Sequence, residues 1–261
     1  MTDIFRFMPG DSPLLISVPH DGRAIPDAVR KRMTATGEAI PDTDWHVAEL
    51  YNFADEIGAS LIVANYSRYV IDLNRSIDDA ALYPGQVATG LCPEQSFAGD
   101  AIYQTGGVSA AEKVQRVLEF WRPYHEQIKT TLDELRARHG HALLWDAHSI
   151  PSAVPRLFDG ELPQLNLGSD SGGSCAAHIE QEITAVLADS DYSAVVNGRF
   201  KGGYITRHYG DPDNDVHALQ LEIAQRTYMD EKNLSLDEDK AAALRVTLKA
   251  MLDRFQQAAS K

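Results

Sequence analysis

Residues 142–149 read Ala142-Leu143-Leu144-Trp145-Asp146-Ala147-His148-Ser149. Apolar residues run without a break as far as Trp145 and then give way to Asp146 and His148. A short continuous apolar run suits a strand covered on both faces. Polar residues at its end fall where an open α/β sheet binds ligands, beyond the carboxyl ends of its strands. Two other stretches have the same form. Leu14 to Val18 is stopped by Pro19 and followed by His20, while Ala218-Leu219-Gln220-Leu221-Glu222-Ile223 carries a glutamate within an apolar run. Strands delivering His, His and Glu to one sheet edge describe a mononuclear metal hydrolase better than a binding module.

Outward from these stretches, Ser60–Ala64, Tyr69–Leu73, Leu165–Leu167 and Tyr192–Val196 read as further strands. Asp44 to Ile57 has helical spacing at Val47, Leu50, Tyr51, Ala54 and Ile57, closed by Gly58. Ala110–Arg138 is a long amphipathic helical region that Pro123 should kink or break. Ser174–Ala188 and Asp237–Gln257 complete the helices, the last with Ala241, Leu244, Leu248, Met251, Leu252 and Phe255 on one side. Residues 78–107 are loop-like, punctuated by Pro84, Gly85, Gly90, Pro93, Gly99 and Gly106-Gly107. A long irregular segment in a compact protein is usually functional, as a lid or a binding wall. Strands alternating with helices predict an α/β fold of three layers (α/β/α) around a central, mostly parallel mixed sheet. The expectation is one domain over residues 1–261.

The formal net charge is -14 over 261 residues, from 24 basic and 38 acidic side chains. Such a chain repels phosphate backbones, so nucleic acid is excluded as a partner. An anionic substrate is not, because clustered arginines can reverse the field inside a cleft. Cys92 and Cys175 supply no disulfide framework and fit a reducing cytoplasm. The N-terminus lacks a basic region followed by a long apolar core, and no apolar run approaches the roughly 20 residues that span a bilayer. A cytoplasmic protein with no membrane partner is expected.

His20 and His148, after separate strands, would supply neutral imidazoles, which suit zinc. His20 reads equally as a hydrogen-bonded turn histidine. A catalytic zinc takes three protein ligands and keeps an open position, so a carboxylate is sought as the third. Asp44 is the choice, with Asp42 and His46 as alternatives, and Asp44 serves equally well as a helix N-cap. Asp146 is two residues from His148, on the same strand face, where it orients the site or completes a polar layer. Glu222 and Gln220 share a face of their strand; a carboxylate on a buried strand is costly unless paired or used. Beside a zinc-bound water it would act as general base, and otherwise pair with an arginine. Arg75 can clamp a carboxylate with parallel hydrogen bonds or form a surface ion pair. In Lys201-Gly202-Gly203-Tyr204-Ile205-Thr206-Arg207-His208-Tyr209-Gly210, Arg207 could take a second carboxylate and Tyr204 cover the site, unless the segment is an ordinary hairpin. Gly168–Gly173 before Ser174 offers a plausible anion cradle. No Walker loop and no Gly-x-Ser-x-Gly elbow is present.

Taken together, Ser17-Val18-Pro19-His20-Asp21-Gly22, Asp42-Thr43-Asp44-Trp45-His46, Asp72-Leu73-Asn74-Arg75-Ser76, Asp146-Ala147-His148-Ser149 and 202–210 resemble the N-formylglutamate amidohydrolases of histidine breakdown, from about residue 12 to about residue 225. That family is in turn distantly similar to zinc carboxypeptidases and aspartoacylase-type deacylases. The resemblance implies a zinc-carboxypeptidase-like (phosphorylase/hydrolase-like) fold and one zinc, or another divalent ion, per chain. It implies that Asn74 and Arg75 hold the substrate carboxylate, that Asp72 supports His20 from behind, and that Glu222 is the catalytic glutamate. The chain departs from carboxypeptidases at Arg23, where those enzymes carry a glutamate ligand three residues after the first histidine. The implied reaction is hydrolysis of N-formyl-L-glutamate, a small anionic N-acyl amino acid, to glutamate and formate. The competing expectations are a zinc amidohydrolase for another N-acyl amino acid or small peptide, and a metal-free binding protein that kept the fold.

Overall fold

The computed structural model describes residues 3–80 and 89–260. Its centre is a seven-stranded sheet in the order β1-β3-β2-β4-β7-β5-β6. The strands are β1 (Phe5–Met8), β2 (Leu14–Val18), β3 (Ser60–Ala64), β4 (Ala142–Ile150), β5 (Leu165–Gly168), β6 (Ala194–Val196) and β7 (Val216–Ala224), with β8 (Met229–Asp230) and β9 (Ser235–Leu236) as a separate hairpin. The β3-β2, β2-β4, β4-β7 and β5-β6 pairings are parallel, while β1-β3 and β7-β5 are antiparallel. The helices are α1 (Asp27–Arg30), α2 (Ala35–Ala39), α3 (Val47–Leu50), α4 (Ala110–Arg116), α5 (Arg122–His139), α6 (Ala177–Ala188), α7 (Tyr204–Tyr209) and α8 (Glu238–Ala259).

Two apolar layers sandwich the sheet. Alternate residues of the central strands, among them Ile16, Leu143, Trp145, Leu219 and Leu221, face α3, α6 and α8. Their neighbours Leu15, Ile62, Leu144 and Ala218 face α5 and α7. With both faces covered, β2, β3, β4 and all but the first residue of β7 are buried along their length, as the unbroken apolar runs require. The predicted three-layer α/β architecture with a mostly parallel mixed sheet is the one observed. Among the described residues no helix is long and apolar enough to cross a membrane.

Several local expectations are corrected. Tyr69–Leu73 is buried but not a strand. Its carbonyls are taken by side chains from the covering helices: Arg116 Nη1 donates to Val70 O (2.6 Å) and His125 Nε2 to Leu73 O (2.9 Å). Asp44–Ile57 is not one helix but α3 followed by a 3-10 turn over Asp55–Ile57, with Gly58 left-handed at its end as expected. Helicity runs through Pro123 without a break, because a π-helical stretch, Val117–Trp121, precedes it and α5 starts with the proline in its first turn. The π-helical turn lies where the ring cannot supply an N–H, the usual place for a local change of helical hydrogen bonding. Residues 201–210 are neither loop nor hairpin throughout, since they contain α7. Pro84 and Gly85 of the long irregular segment lie outside the described residues.

Candidate metal centre and active-site cavity

The parallel strands β2, β4 and β7 lie side by side, so the residues at their carboxyl ends meet. His20 follows β2, His148 lies near the end of β4, and Glu222 is the direct cross-strand partner of His148. The His20 and His148 rings are 4.8 Å apart. Asp44 joins them from the segment before α3, its backbone N–H donating to His20 O (3.1 Å). Ligand atoms of His20, Asp44 and His148 all fall within 4.8 Å of one another, and all three residues are buried. Asp44 is not an N-cap. His46 occupies that position, while Asp44 Oδ2 accepts from His148 Nδ1 (3.0 Å) and Ser149 N (3.1 Å). The alternatives turn elsewhere: Asp42 accepts from Phe97 N (2.8 Å), and the His46 ring contacts Glu49 Oε1 and Leu234 O.

The far side of each imidazole is fixed by a carboxylate. His20 Nε2 donates to Asp72 Oδ1 (2.8 Å), and Asp146 Oδ2 is 3.1 Å from His148 Nε2. Burial alone would raise the Asp72 carboxyl. The Arg68 guanidinium, with Nη2 on Asp72 Oδ2 at 2.7 Å, outweighs burial and holds it well below the usual carboxylate range. An ionised Asp72 can only accept, so the proton sits on His20 Nε2 and the Nδ1 lone pair faces Asp44 (3.6 Å). Burial likewise raises Asp44, but the neighbouring His20 and His148 hold it below its ordinary value. His20 Nδ1 and Asp44 Oδ1 are both buried without a hydrogen-bond partner. Two imidazole nitrogens and a carboxylate oxygen gathered within 4.8 Å, one of the nitrogens (His20 Nδ1) without a hydrogen-bond partner and each ring buttressed by a carboxylate, fit a divalent cation. Burial lowers His148, yet Asp146 and Asp44 outweigh it and raise its pKa; a cation bound at Nδ1 would replace that proton.

A cavity opens beside these residues, lined by His20, Arg68, Asn74, Arg75, His148, Ser149, Gln220 and Glu222, with Phe97, Ile150, Leu157 and Phe200 as apolar wall. Burial pushes the Glu222 carboxyl up to about 8. Gln220 links it to the loop beyond, with Nε2 on Glu222 Oε2 (3.3 Å) and Oε1 accepting from Gly203 N (2.6 Å). Arg75 lines the cavity, with Nε on Thr89 O (2.9 Å) and its carbonyl held by Trp121 Nε1 (2.9 Å). Asn74 also lines it, but its amide is committed within the protein. Its Oδ1 accepts from Ile205 N (2.8 Å), and its Nδ2 donates to Asp146 Oδ2 (3.2 Å) and lies 2.9 Å from His148 Nε2.

Tyr204 and Arg207 are not among the lining residues. Tyr204 stacks on His208 and packs near Trp121 and His125. Arg207 is held on α7 by Gly202 O (2.8 Å) and Asp170 Oδ1 (2.9 Å). The Gly168–Gly173 turn is no anion cradle: Asn197 Oδ1 takes the N–H groups of Ser169 and Ser171, and Asp170 adds a carboxylate. Sequence reasoning missed Arg68 and Arg199, both of which line the cavity. Arg68 stands four residues before Asp72, a pairing interval, at the start of a buried run. Arg199 follows β6, which runs opposite to β4 and β7, so the rule that ligands sit beyond strand ends does not mark it.

The family model described as N-formylglutamate amidohydrolase matches residues 12–229. A curated N-formylglutamate deformylase of Pseudomonas putida is 49% identical over 255 residues, covering 97% of this chain and 95% of the relative. That of Pseudomonas aeruginosa is 49% identical over 256 residues, covering 97% and 96%. Among solved structures, the N-formylglutamate amidohydrolase of Ralstonia eutropha is similar at 25% identity with a TM-score of 0.83, covering 97% of both chains. A gene product of Agrobacterium tumefaciens shares the fold at 17% identity and a TM-score of 0.75, covering 98% of this chain and 96% of its own.

Proposed function

The chain belongs to the N-formylglutamate amidohydrolase family, and on that premise we propose that it hydrolyses N-formyl-L-glutamate to L-glutamate and formate, with one zinc ion held by His20, Asp44 and His148 and with Glu222 as general base. The observation that supports the site assignment is the buried His20–Asp44–His148 cluster, with His20 Nδ1 lacking a hydrogen-bond partner, beside a cavity that Glu222 lines. A divalent ion there supplies Lewis-acid polarisation of the formyl carbonyl and acidifies water at neutral pH.

The remaining work falls to the chain's own groups. Asp72 and Asp146 hold the imidazoles so that both Nδ1 atoms face Asp44. Arg68 keeps Asp72 ionised and so fixes the His20 tautomer. Glu222, beside His148 on the next strand, takes a proton from the attacking water and delivers it to the departing amine nitrogen. Its pKa, raised by burial, favours the second step, because a carboxyl that holds a proton near neutrality is a competent general acid. A bound cation beside it would favour the ionised form needed for the first. Arg75 receives the substrate's α-carboxylate, with Asn74 positioning the segment that carries it. The two cysteines are buried and free, in keeping with a reducing cytoplasm.

The test combines formate release with metal analysis. Glu222→Gln should keep its zinc and lose on the order of a hundredfold or more in turnover. Wild-type turnover in that variant would remove Glu222 from the mechanism, and a fully active protein stripped of metal would remove the zinc.

A further inference from the structure

We propose that Arg199 anchors the substrate's side-chain carboxylate and thereby sets the preference for an acidic N-formyl amino acid; the inference rests on the reading of the cavity as the amidohydrolase site. A substrate with two carboxylates entering a chain of net charge -14 needs local positive charge. Arg68, Arg75 and Arg199 line the cavity. Arg68 is buried and paired with Asp72 (2.7 Å), with Asp44 at 3.6 Å, so its charge is spent on the metal ligands and their support. Arg75 and Arg199 line the same cavity from two other parts of the chain, one for each carboxylate.

Chain position and surroundings divide the roles. Arg75 is covalently next to Asn74, whose Nδ2 lies 2.9 Å from His148 Nε2. That places the segment against the reacting centre, where the α-carboxylate, one carbon from the scissile nitrogen, must lie. Arg199 comes from the loop after β6. Its Nε donates to Leu157 O (3.1 Å) and its guanidinium lies 5.3 Å from the Phe200 ring centroid. Leu157, Phe200 and Ile150 are themselves cavity wall. An apolar surface leading to a guanidinium complements two methylenes ending in a carboxylate. Arg207, the other arginine of this region, pairs with Asp170 and does not line the cavity.

The experiment compares kcat/KM for N-formyl-L-glutamate and N-formyl-L-norvaline, which has a side chain of similar length without the carboxylate. Formate release is followed with zinc-loaded wild type, Arg199→Ala, Arg199→Lys and Arg75→Ala. In Arg199→Ala the glutamate-to-norvaline ratio should fall roughly 10- to 100-fold, mainly through KM, as expected for loss of a charged hydrogen-bond partner. Arg199→Lys should recover part of the ratio, and Arg75→Ala should depress both substrates together. An unchanged ratio in Arg199→Ala and Arg199→Lys beside an active wild type overturns this proposal alone. A wild type that releases no formate from N-formyl-L-glutamate overturns the broader reading and this proposal with it.

Discussion

Glu222→Gln has a consequence for stability that can be worked out from its surroundings and measured without substrate. In chelator-treated protein, burial holds the Glu222 carboxyl at about 8 against an ordinary value of 4.5. The folded state therefore keeps a proton that the unfolded state releases. Between those values the native protein binds about one proton more than the unfolded chain, so stability falls by about 1.4 kcal/mol per pH unit as pH rises. The contribution is fully present below about 4.5, mostly present at pH 5, and lost once pH passes 8. A glutamine does not titrate and escapes this loss. The stability of Glu222→Gln relative to wild type should accordingly rise by about 4 kcal/mol between pH 5 and pH 9. Urea denaturation of both chelated proteins at the two pH values measures it directly. A difference that changes by less than about 1 kcal/mol would refute the reasoning, because Glu222 would then be ionised in the folded protein at neutral pH. Adding zinc should flatten the wild-type slope, since a cation beside the carboxylate lowers its pKa.

The other predictions concern the proposed metal ligands and the groups behind them. His148→Ala should come out of purification without bound zinc by elemental analysis, and full occupancy would exclude it as a ligand. Arg68→Ala should destabilise the protein by about 3–5 kcal/mol in denaturant titrations, because the buried carboxylates of Asp72 and Asp44 lose their cation. Gly203→Ala places a methyl group on the Asn74 amide; pushing Asn74 off Asp146 and His148 should weaken zinc affinity about tenfold in a competition titration, and an unaltered affinity would show that Asn74 does not hold the site.

How much of this was legible in the sequence follows from which forces are local. The central strands could be read because burial on both faces leaves an unbroken apolar signature, and the polar residue closing each run marks the ligand-facing edge. His20, His148 and Glu222 stand where that reading puts them. Tyr69–Leu73 has the same signature without the strand, since its carbonyls are satisfied by Arg116 and His125 from 46 or more residues away. Asp44 could not be separated from Asp42 and His46, because the choice depends on where the chain turns after Pro19, and His46 turns away with a left-handed backbone. The arginines were the hardest. Arg207 has suggestive neighbours and an ion pair with Asp170, whereas Arg199 lies in an undistinguished stretch and reaches the cavity only through the placement of β6 beside β5.

His148 and Glu222 face each other on β4 and β7, the most extensively paired strands of the sheet, whereas Arg75 and Arg199 hang from connections outside the ladder. On the roles proposed above, hydrolytic machinery and ligand preference are mounted on separate parts of the scaffold. Drift or deliberate redesign can exchange the loop after β6 for one bearing a different side chain, retuning which N-acyl compound is accepted while the bond-breaking apparatus stays intact. A one-residue deletion within β4, by contrast, would turn the imidazole to the opposite face and silence every such variant at once.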